Sequence, residues 1–184
     1  MLLSFVEIFN LVVVSLVVGY IFSGMFKNEK LSFNNFDWKD FRFAVLIASP
    51  GIIFHELAHK FVAIGFGLNA VFEISPFGLV LGVVLKLVGS PLILLAPGYV
   101  LISSLANPLA MFLTAFAGPL TNLLFWLGSK YYLNSSKTFS RKMVMNLFIF
   151  SEINKWLFLF NMIPIPPLDG YKVFLGLYNL IFNF

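Results

Sequence analysis

Four long apolar stretches run along the chain, and short polar segments separate them. They lie at Phe5 to Phe22, Phe43 to Phe54, Leu109 to Leu127 and Met143 to Ile163. Each approaches or reaches the roughly 20 apolar residues that a helix needs to cross the hydrocarbon core of a bilayer. The pattern therefore predicts an α-helical polytopic membrane protein with about 4–6 transmembrane segments.

The residues around these stretches indicate where the first two helices begin and end. Residues 1–24 predict a retained helix, because no basic region precedes the apolar stretch and no small-residue cleavage site follows it. The polar segment Lys27 to Asp40 predicts a loop at the membrane surface. A second helix is expected from about Arg42 to Phe66, with Gly67 among the residues that stop it.

The segment Ala70 to Ser104 is also apolar, but prolines and glycines interrupt it. The interruptions are Pro76, Gly78, Gly82, Gly89, Pro91, Pro97 and Gly98. We expect a re-entrant segment with β-hairpin character. Non-helical backbone at membrane depth persists only where protein or a water-filled cavity satisfies its amide groups, so the segment also indicates an internal cavity. Such a segment can hold an extended substrate by strand addition, and a purely structural loop is the alternative.

The second half of the chain predicts two more spans, at about Pro108 to Leu127 and Met143 to Ile163, with the polar loop Lys130 to Lys142 between them. A proline-rich stretch, Pro164 to Pro167, follows. The last apolar stretch, Val173 to Phe184, is short for a full span.

The composition supports lipid as the main solvent of the protein. Of 184 residues, 60% are hydrophobic and 11% are charged, which is far from the soluble range. Cysteine is absent, which excludes disulfides, thiolate zinc sites and a cysteine nucleophile. The net charge of +4 comes mostly from two short loops and favours lipid headgroups over nucleic acid as a partner.

The pentapeptide HELAH at residues 55–59 contains both histidines of the chain, inside an apolar predicted helix. Helix residues four apart lie on one face, about 6 Å apart along the axis, so two imidazoles can share one metal ion. Glu56 projects about 100° away from His55 and can reach a water on that metal. Two structural histidines are the alternative, but ionisable groups inside a span are costly without a partner or a function.

A catalytic zinc ion keeps three protein ligands and an open position for water, so the pair of histidines needs a third ligand. The aspartates of the chain are Asp37, Asp40 and Asp169, and only the last lies among the membrane segments. Because the preceding prolines break helices, we expect an unwound chain that turns this carboxylate inward, with Gly170 easing the bend. Asp169 is therefore the predicted third ligand.

Three motifs occur in a fixed order: HELAH at 55–59, AGPLTN at 117–122 and NMIPIPPLDG at 161–170. Together they resemble the signature motifs of the site-2 protease family of intramembrane zinc metalloproteases, over roughly residues 43–175. The resemblance implies an enzyme that hydrolyses peptide bonds in or near transmembrane segments of other proteins. We expect one domain over residues 1–184, with this catalytic core and an additional N-terminal helix.

The resemblance also implies a role for each matched residue. One Zn²⁺ per chain would be bound by His55, His59 and Asp169. Glu56 would be the general base, and Asn161 would hold the substrate backbone or an oxyanion. Asn154, seven residues earlier, shares a helix face with Asn161 and is a second substrate-binding candidate; a buried amide that joins helices is the alternative.

Other charged or unusual positions qualify this picture. Tyr171 replaces the usual second glycine after Asp-Gly, and no PDZ-like or nucleotide-sensing domain is expected. Glu152 and Lys155 lie one helical turn apart and are expected to form a structural ion pair.

The orientation of the protein in the membrane is predicted differently by two criteria. The positive-inside rule places the basic loops in the cytoplasm, whereas the resemblance implies that they lie outside. Because the charge bias of the loops is modest, we favour the orientation that the resemblance implies.

Two rival functions belong to other classes. A divalent-metal transporter also carries His and Glu inside a membrane helix, but beyond Glu7, Glu152 and Lys155 the spans hold almost no charge to line a path. A catalytically inactive scaffold that binds membrane proteins is disfavoured by the complete ligand set and Glu56. The expected partners are a transmembrane protein substrate and the lipid bilayer of a prokaryotic cell membrane.

Overall fold

The protein is built from six α-helices and one small antiparallel sheet in the part of the chain that the structure describes. The computed structural model describes residues 2–24, 37–89, 97–102, 107–135 and 139–182. In chain order the elements are α1 (Phe5–Phe22), α2 (Trp38–Gly65), β1 (Ala70–Ile74), α3 (Pro76–Leu87), β2 (Gly98–Ile102), α4 (Pro108–Leu133), α5 (Arg141–Asn161) and α6 (Asp169–Phe182). This order confirms an α-helical polytopic membrane protein.

Four of the described helices are long and apolar enough to cross a membrane, namely α1, α2, α4 and α5. Helices α3 and α6 have 12 and 14 residues, fewer than the roughly 20 that a span needs. The predicted end of α4 was wrong: the helix continues through Lys130 to Leu133, because Tyr131 and Tyr132 extend its apolar surface past a single lysine. Residues 136–138 of the predicted loop lie outside the described residues.

Side-chain caps fix the starts of the first two helices. Ser4 and Glu7 form a capping box in which each side chain accepts a hydrogen bond from the backbone of the other. Helix α2 begins four residues before its predicted start, because the Asp37 side chain accepts a hydrogen bond from the backbone N–H of Lys39 and caps the helix. The rest of the predicted surface loop, residues 27–36, lies outside the described residues.

The interrupted apolar segment contains two strands and a helix. Strands β1 and β2 pair antiparallel, with Ala70 opposite Ile102 and Ile74 opposite Gly98, which confirms the β-hairpin character. Helix α3, which the sequence did not predict, lies between them, because Ser75 caps it and Pro76 occupies its first turn, where proline is tolerated. Residues 90–96 and 103–106 of the predicted segment lie outside the described residues.

A buried ion pair joins α1, α2 and β1. Lys60, one residue after the second histidine, donates to Glu7, and both side chains are almost fully buried. Glu7 also accepts from the backbone N–H of Phe72 at 2.9 Å, and Lys60 donates to the carbonyl of Ala70 at 2.9 Å. These side chains form hydrogen bonds with backbone groups on the edge of β1 that faces away from β2. The edge of β2 that faces away from β1 pairs with no strand in the described chain.

The apolar core lies where α1, α2, α5 and β1 meet. Its buried members are Val14, Val18, Ala48, Ile52, Phe72 and Ile153. Gly19 permits the close packing of α1 against α2, since a Cβ at this position would lie 2.1 Å from a methyl carbon of Val45 on α2. The predicted ion pair between Lys155 and Glu152 is confirmed, and neither residue lines the cavity described below.

Candidate metal centre

Helix α2 presents two buried imidazoles one turn apart. His55 and His59 are 5% and 6% exposed, and their Nε2 atoms lie 3.1 Å apart. At the start of α6, the Oδ2 atom of Asp169 lies 3.0 Å from Nε2 of His55 and 3.2 Å from Nε2 of His59. The structure thus brings together the three residues that the sequence singled out as ligands. The chain is unwound over residues 162–168, between α5 and α6, as the prolines predicted, and Asp169 begins the helix that follows.

The spacing of these three atoms suits a zinc ion. Zinc binds histidine nitrogen and carboxylate oxygen at about 2.0–2.2 Å in a tetrahedral arrangement, which separates neighbouring ligand atoms by about 3.3 Å. The observed separations of 3.0–3.2 Å are close to that value. The donor set of two imidazoles and one carboxylate is also the one that catalytic zinc sites use.

Hydrogen bonds on the far side of each ring fix the tautomer. Nδ1 of His59 lies 2.7 Å from the carbonyl oxygen of Thr114, which can only accept, so Nδ1 carries a proton. Nδ1 of His55 lies 2.6 Å from Oδ1 of Asn122, whose amide nitrogen donates to the carbonyl of Gly51 at 3.0 Å. In the neutral rings both Nε2 atoms therefore direct lone pairs at the centre, as metal-binding histidines do.

Positive charge is needed at the point where these atoms meet. Burial disfavours the charged form of Asp169, but the charge and hydrogen bonds of the adjoining imidazoles outweigh it and hold the pKa of that carboxyl well below its usual range. When the imidazoles are neutral, the support of their charge is lost, and the Asp169 carboxylate faces two nitrogen lone pairs. A divalent cation satisfies all three donors at once.

One face of α4 supports both imidazoles. Thr114, Gly118 and Asn122 follow one another at intervals of four residues, so they share this face. A Cβ at Gly118 would lie 2.3 Å from Nε2 of His59 and 2.6 Å from Nε2 of His55, so only glycine lets α4 approach the rings this closely. From the sequence, Gly118 and Asn122 were marked only as members of the AGPLTN motif and Thr114 was not marked, although the spacing of four between them matches that of the histidines.

The two predicted substrate-binding asparagines occupy different places. Asn154 is fully buried behind the centre, where it accepts from the Asn122 amide at 2.9 Å and donates to the carbonyl of Phe150 at 2.8 Å. It is thus the outer member of a hydrogen-bond chain that ends on His55, and it does not line the cavity. Asn161 does line the cavity, and no described residue is hydrogen-bonded to its side chain.

An open cavity of about 420 Å³ lies against the metal-ligand cluster. Its wall includes the cluster itself, Glu56, residues 98–102 of β2, Asn161 and Lys172. Glu56 is 9% exposed, and its carboxylate has no hydrogen-bond partner in the described part of the chain. The geometry therefore leaves one free carboxylate in the wall of the cavity that the ligands also line.

Comparison with known proteins finds relatives that match most of the chain. No family model and no solved structure matches it. Over 169 residues it is 37% identical to "Putative zinc metalloprotease MJ0611" of Methanocaldococcus jannaschii, a match that covers 91% of this chain and 82% of that protein. It is also 31% identical over 150 residues to "Putative zinc metalloprotease YwhC" of Bacillus subtilis (strain 168), covering 65% of this chain and 61% of that protein.

These relatives agree with the geometry of the site. Their names specify zinc, and the cluster of His55, His59 and Asp169 offers zinc a suitable donor set. Zinc is therefore the cofactor of this protein. The chain belongs to the family of zinc metalloproteases that includes these relatives.

Proposed function

We propose that this protein is an intramembrane protease of the site-2 protease type, which hydrolyses peptide bonds in or near transmembrane segments of other membrane proteins. One observation carries the proposal: the metal-ligand cluster is built on α2 and supported by α4, and both helices are long and apolar enough to cross a membrane. A protease whose centre lies on spanning helices can reach bonds that water-soluble proteases cannot. The four helices of spanning length favour a multi-pass protein, and the organisms of the relatives favour a prokaryotic cell membrane.

In this proposal each residue of the centre has one task. His55, His59 and Asp169 bind the zinc ion, which when bound supplies an acidified water and a Lewis acid for the carbonyl. Asn122 and the Thr114 carbonyl keep the imidazoles in the tautomer that exposes Nε2. Glu56, the free carboxylate of the cavity, accepts a proton from the attacking water and then donates it to the leaving amine.

The substrate would bind as an extended chain along β2. A peptide must be extended to be cut, and the edge of β2 that faces away from β1 carries no strand among the described residues, so strand addition is available there. Residues 98–102 of this strand line the same cavity as Glu56 and the ligands. The side-chain amide of Asn161, which also lines the cavity, would hydrogen-bond the substrate backbone.

The charges of the described spans argue against a transporter. A transport path needs polar groups that are free to bind the ion along its way. Here Glu7 is paired with Lys60, and Glu152 is paired with Lys155. The remaining ionisable side chains around the cavity belong to one local centre, which supports catalysis at a single place.

The test is cleavage of a panel of single-span membrane substrates by the zinc-loaded protein in proteoliposomes, with the cut bond located by mass spectrometry. We expect cuts in or near the transmembrane segment. Glu56→Gln should retain about one zinc ion per chain and lose activity by a factor on the order of 10²–10⁴. Glu152→Gln is the matched control, since this glutamate lies in a span but outside the cavity, and it should retain both zinc and cleavage.

Two results would count against the proposal. Cleavage restricted to soluble, unfolded proteins would leave a metalloprotease that does not act in the membrane. Undiminished cleavage by Glu56→Gln would remove the assigned general base. If no substrate is cut and zinc instead enters the vesicles, the transporter replaces the protease.

A further inference from the structure

Lys172 is an unpaired cation in the wall of the cavity. It lies in the first turn of α6, three residues after Asp169, and its side chain is exposed. It lines the same cavity as Glu56 and Asn161. No described residue forms a hydrogen bond or an ion pair with it, and the nearby Asp169 directs its Oδ2 atom at the two imidazoles instead.

Three lysines that are buried or half-buried in apolar helices have partners in the described structure. Lys60 is paired with Glu7, and Lys155 with Glu152. Lys86 donates to the carbonyls of Tyr20 and Ser23 at the end of α1. Lys172 differs from these three because no group of the described structure pairs with it, and it differs from the exposed Lys130 because it lines the cavity. Its ammonium group is therefore available to a molecule that enters the cavity.

The local structure disfavours a cation at this position. The first turn of a helix carries the positive end of the helix dipole, which favours acidic side chains such as Asp169 and disfavours lysine. Apart from these two residues, α6 contains no charged side chain. Nothing in the helix therefore accounts for a lysine here.

The charge of the cavity selects the kind of partner. When both imidazoles are neutral, the carboxylates of Glu56 and Asp169 balance the two charges of a zinc ion, which leaves Lys172 as the unbalanced charge among the lining residues. An acidic side chain close to the scissile bond would be attracted to this ammonium group, whereas a basic one would be repelled.

We propose that Lys172 is a specificity-determining residue that binds an acidic side chain of the substrate near the scissile bond. The proposal rests on the proposed function, because it concerns the same cavity and a peptide bound in it. An anionic lipid headgroup is the rival partner for an exposed lysine. The substrate is favoured since Lys172 shares the cavity wall with the candidate base.

The test measures peptide binding, so that it does not depend on cleavage. Full-length, zinc-loaded Glu56→Gln protein in zwitterionic nanodiscs is titrated with labelled single-span peptides of one sequence. These peptides carry Asp, Asn or Lys at each of several positions around the centre. Binding is followed by fluorescence anisotropy for this protein and for versions that also carry Lys172→Met, Lys172→Glu or Lys130→Glu. Lys130 is an exposed lysine outside the cavity and serves as the matched control.

At one position or more, the protein with Lys172 should bind the Asp peptide roughly fivefold more tightly than the Lys peptide, a contrast of the size expected for a screened pair. Lys172→Met should remove this contrast, Lys172→Glu should reverse it, and Lys130→Glu should leave it unchanged. High salt should weaken it. Zinc content and melting temperature verify that each variant is folded.

Equal binding of the three peptides at every position would overturn the inference, and so would a contrast that survives in Lys172→Glu. Binding that follows the fraction of anionic lipid in the nanodisc, and not the charge of the peptide, would assign Lys172 to the lipid instead. None of these results would contradict the protease proposal, which the cleavage assay tests separately.

Discussion

Replacement of Gly118 by alanine should destroy the metal centre while adding only one methyl group. Gly118 lies on the face of α4 that contacts both imidazoles, between the residues that accept their Nδ1 protons. The added Cβ would lie 2.3 Å from Nε2 of His59 and 2.6 Å from Nε2 of His55. A zinc–nitrogen bond is about 2.0–2.1 Å long, so the methyl group would approach both nitrogens nearly as closely as the metal does.

The size of the effect follows from these contacts. Ordinary contacts of a Cβ begin near 3.4 Å, so the methyl group overlaps each ring nitrogen by about 1 Å. A ring that moves away loses its Nδ1 hydrogen bond, which measures 2.7 Å for His59 and 2.6 Å for His55. We expect a destabilisation of about 1–3 kcal/mol from overpacking and a loss of zinc affinity of at least about 100-fold.

The assay is zinc titration against a chromophoric chelator, together with thermal unfolding in detergent. Gly128→Ala is the matched control, because Gly128 lies on the same helix and a Cβ there meets nothing within 4 Å. That variant should bind zinc like the wild type and be equally stable or slightly more stable, since alanine favours helix. Wild-type zinc affinity in Gly118→Ala would refute the proposed arrangement of the imidazoles and α4.

Three further predictions concern the surroundings of the centre. Asn122→Leu removes the acceptor for Nδ1 of His55 and should weaken zinc binding by about 10–100-fold in the same chelator assay; unchanged affinity would show that the ring needs no such support. Lys60→Met leaves Glu7 buried without its cation and should lower the free energy of unfolding in micelles by about 3 kcal/mol. Adding Glu7→Gln should restore part of that loss, and an additive further loss would contradict a specific ion pair. Chelation of zinc should lower the melting temperature, and added zinc should restore it, because the metal binds only the folded site. At 100 times its dissociation constant, zinc should contribute about 2.7 kcal/mol, and an unchanged melting temperature would show that the site does not bind it.

Periodicity and composition predicted the long helices well, and local capping explains most of the differences. The start of α2 depended on Asp37 as a cap, and the start of α3 depended on Ser75 with Pro76. Helix α3 was missed because Pro76 was interpreted only as a helix breaker, whereas the helix begins at that residue. Proline interrupts a helix interior but suits its first turn, so the same residue has opposite meanings at the two places.

The candidate ligands could be chosen from the sequence because the chain offers so few alternatives. The two histidines lie one helical turn apart, and Asp169 was the only aspartate among the predicted membrane segments. The supporting residues were harder to find, because their roles depend on how α4 packs against α2. Asn122 and Gly118 look like ordinary polar and small residues of a membrane helix until the contact with the imidazoles is known. Asn154 shows the same limit, since a shared helix face did not reveal that its amide is bonded to Asn122.

The most direct test of the central claim is X-ray absorption at the zinc edge of the purified, zinc-loaded protein. We expect one zinc ion per chain with two imidazole nitrogens and oxygen ligands at about 2.0–2.2 Å in a four-coordinate site. Asp169→Ala should lose zinc or replace one of those oxygens with water. A shell of oxygen atoms without imidazole scattering, or a spectrum that does not change in His55→Ala, would contradict zinc binding by His55, His59 and Asp169.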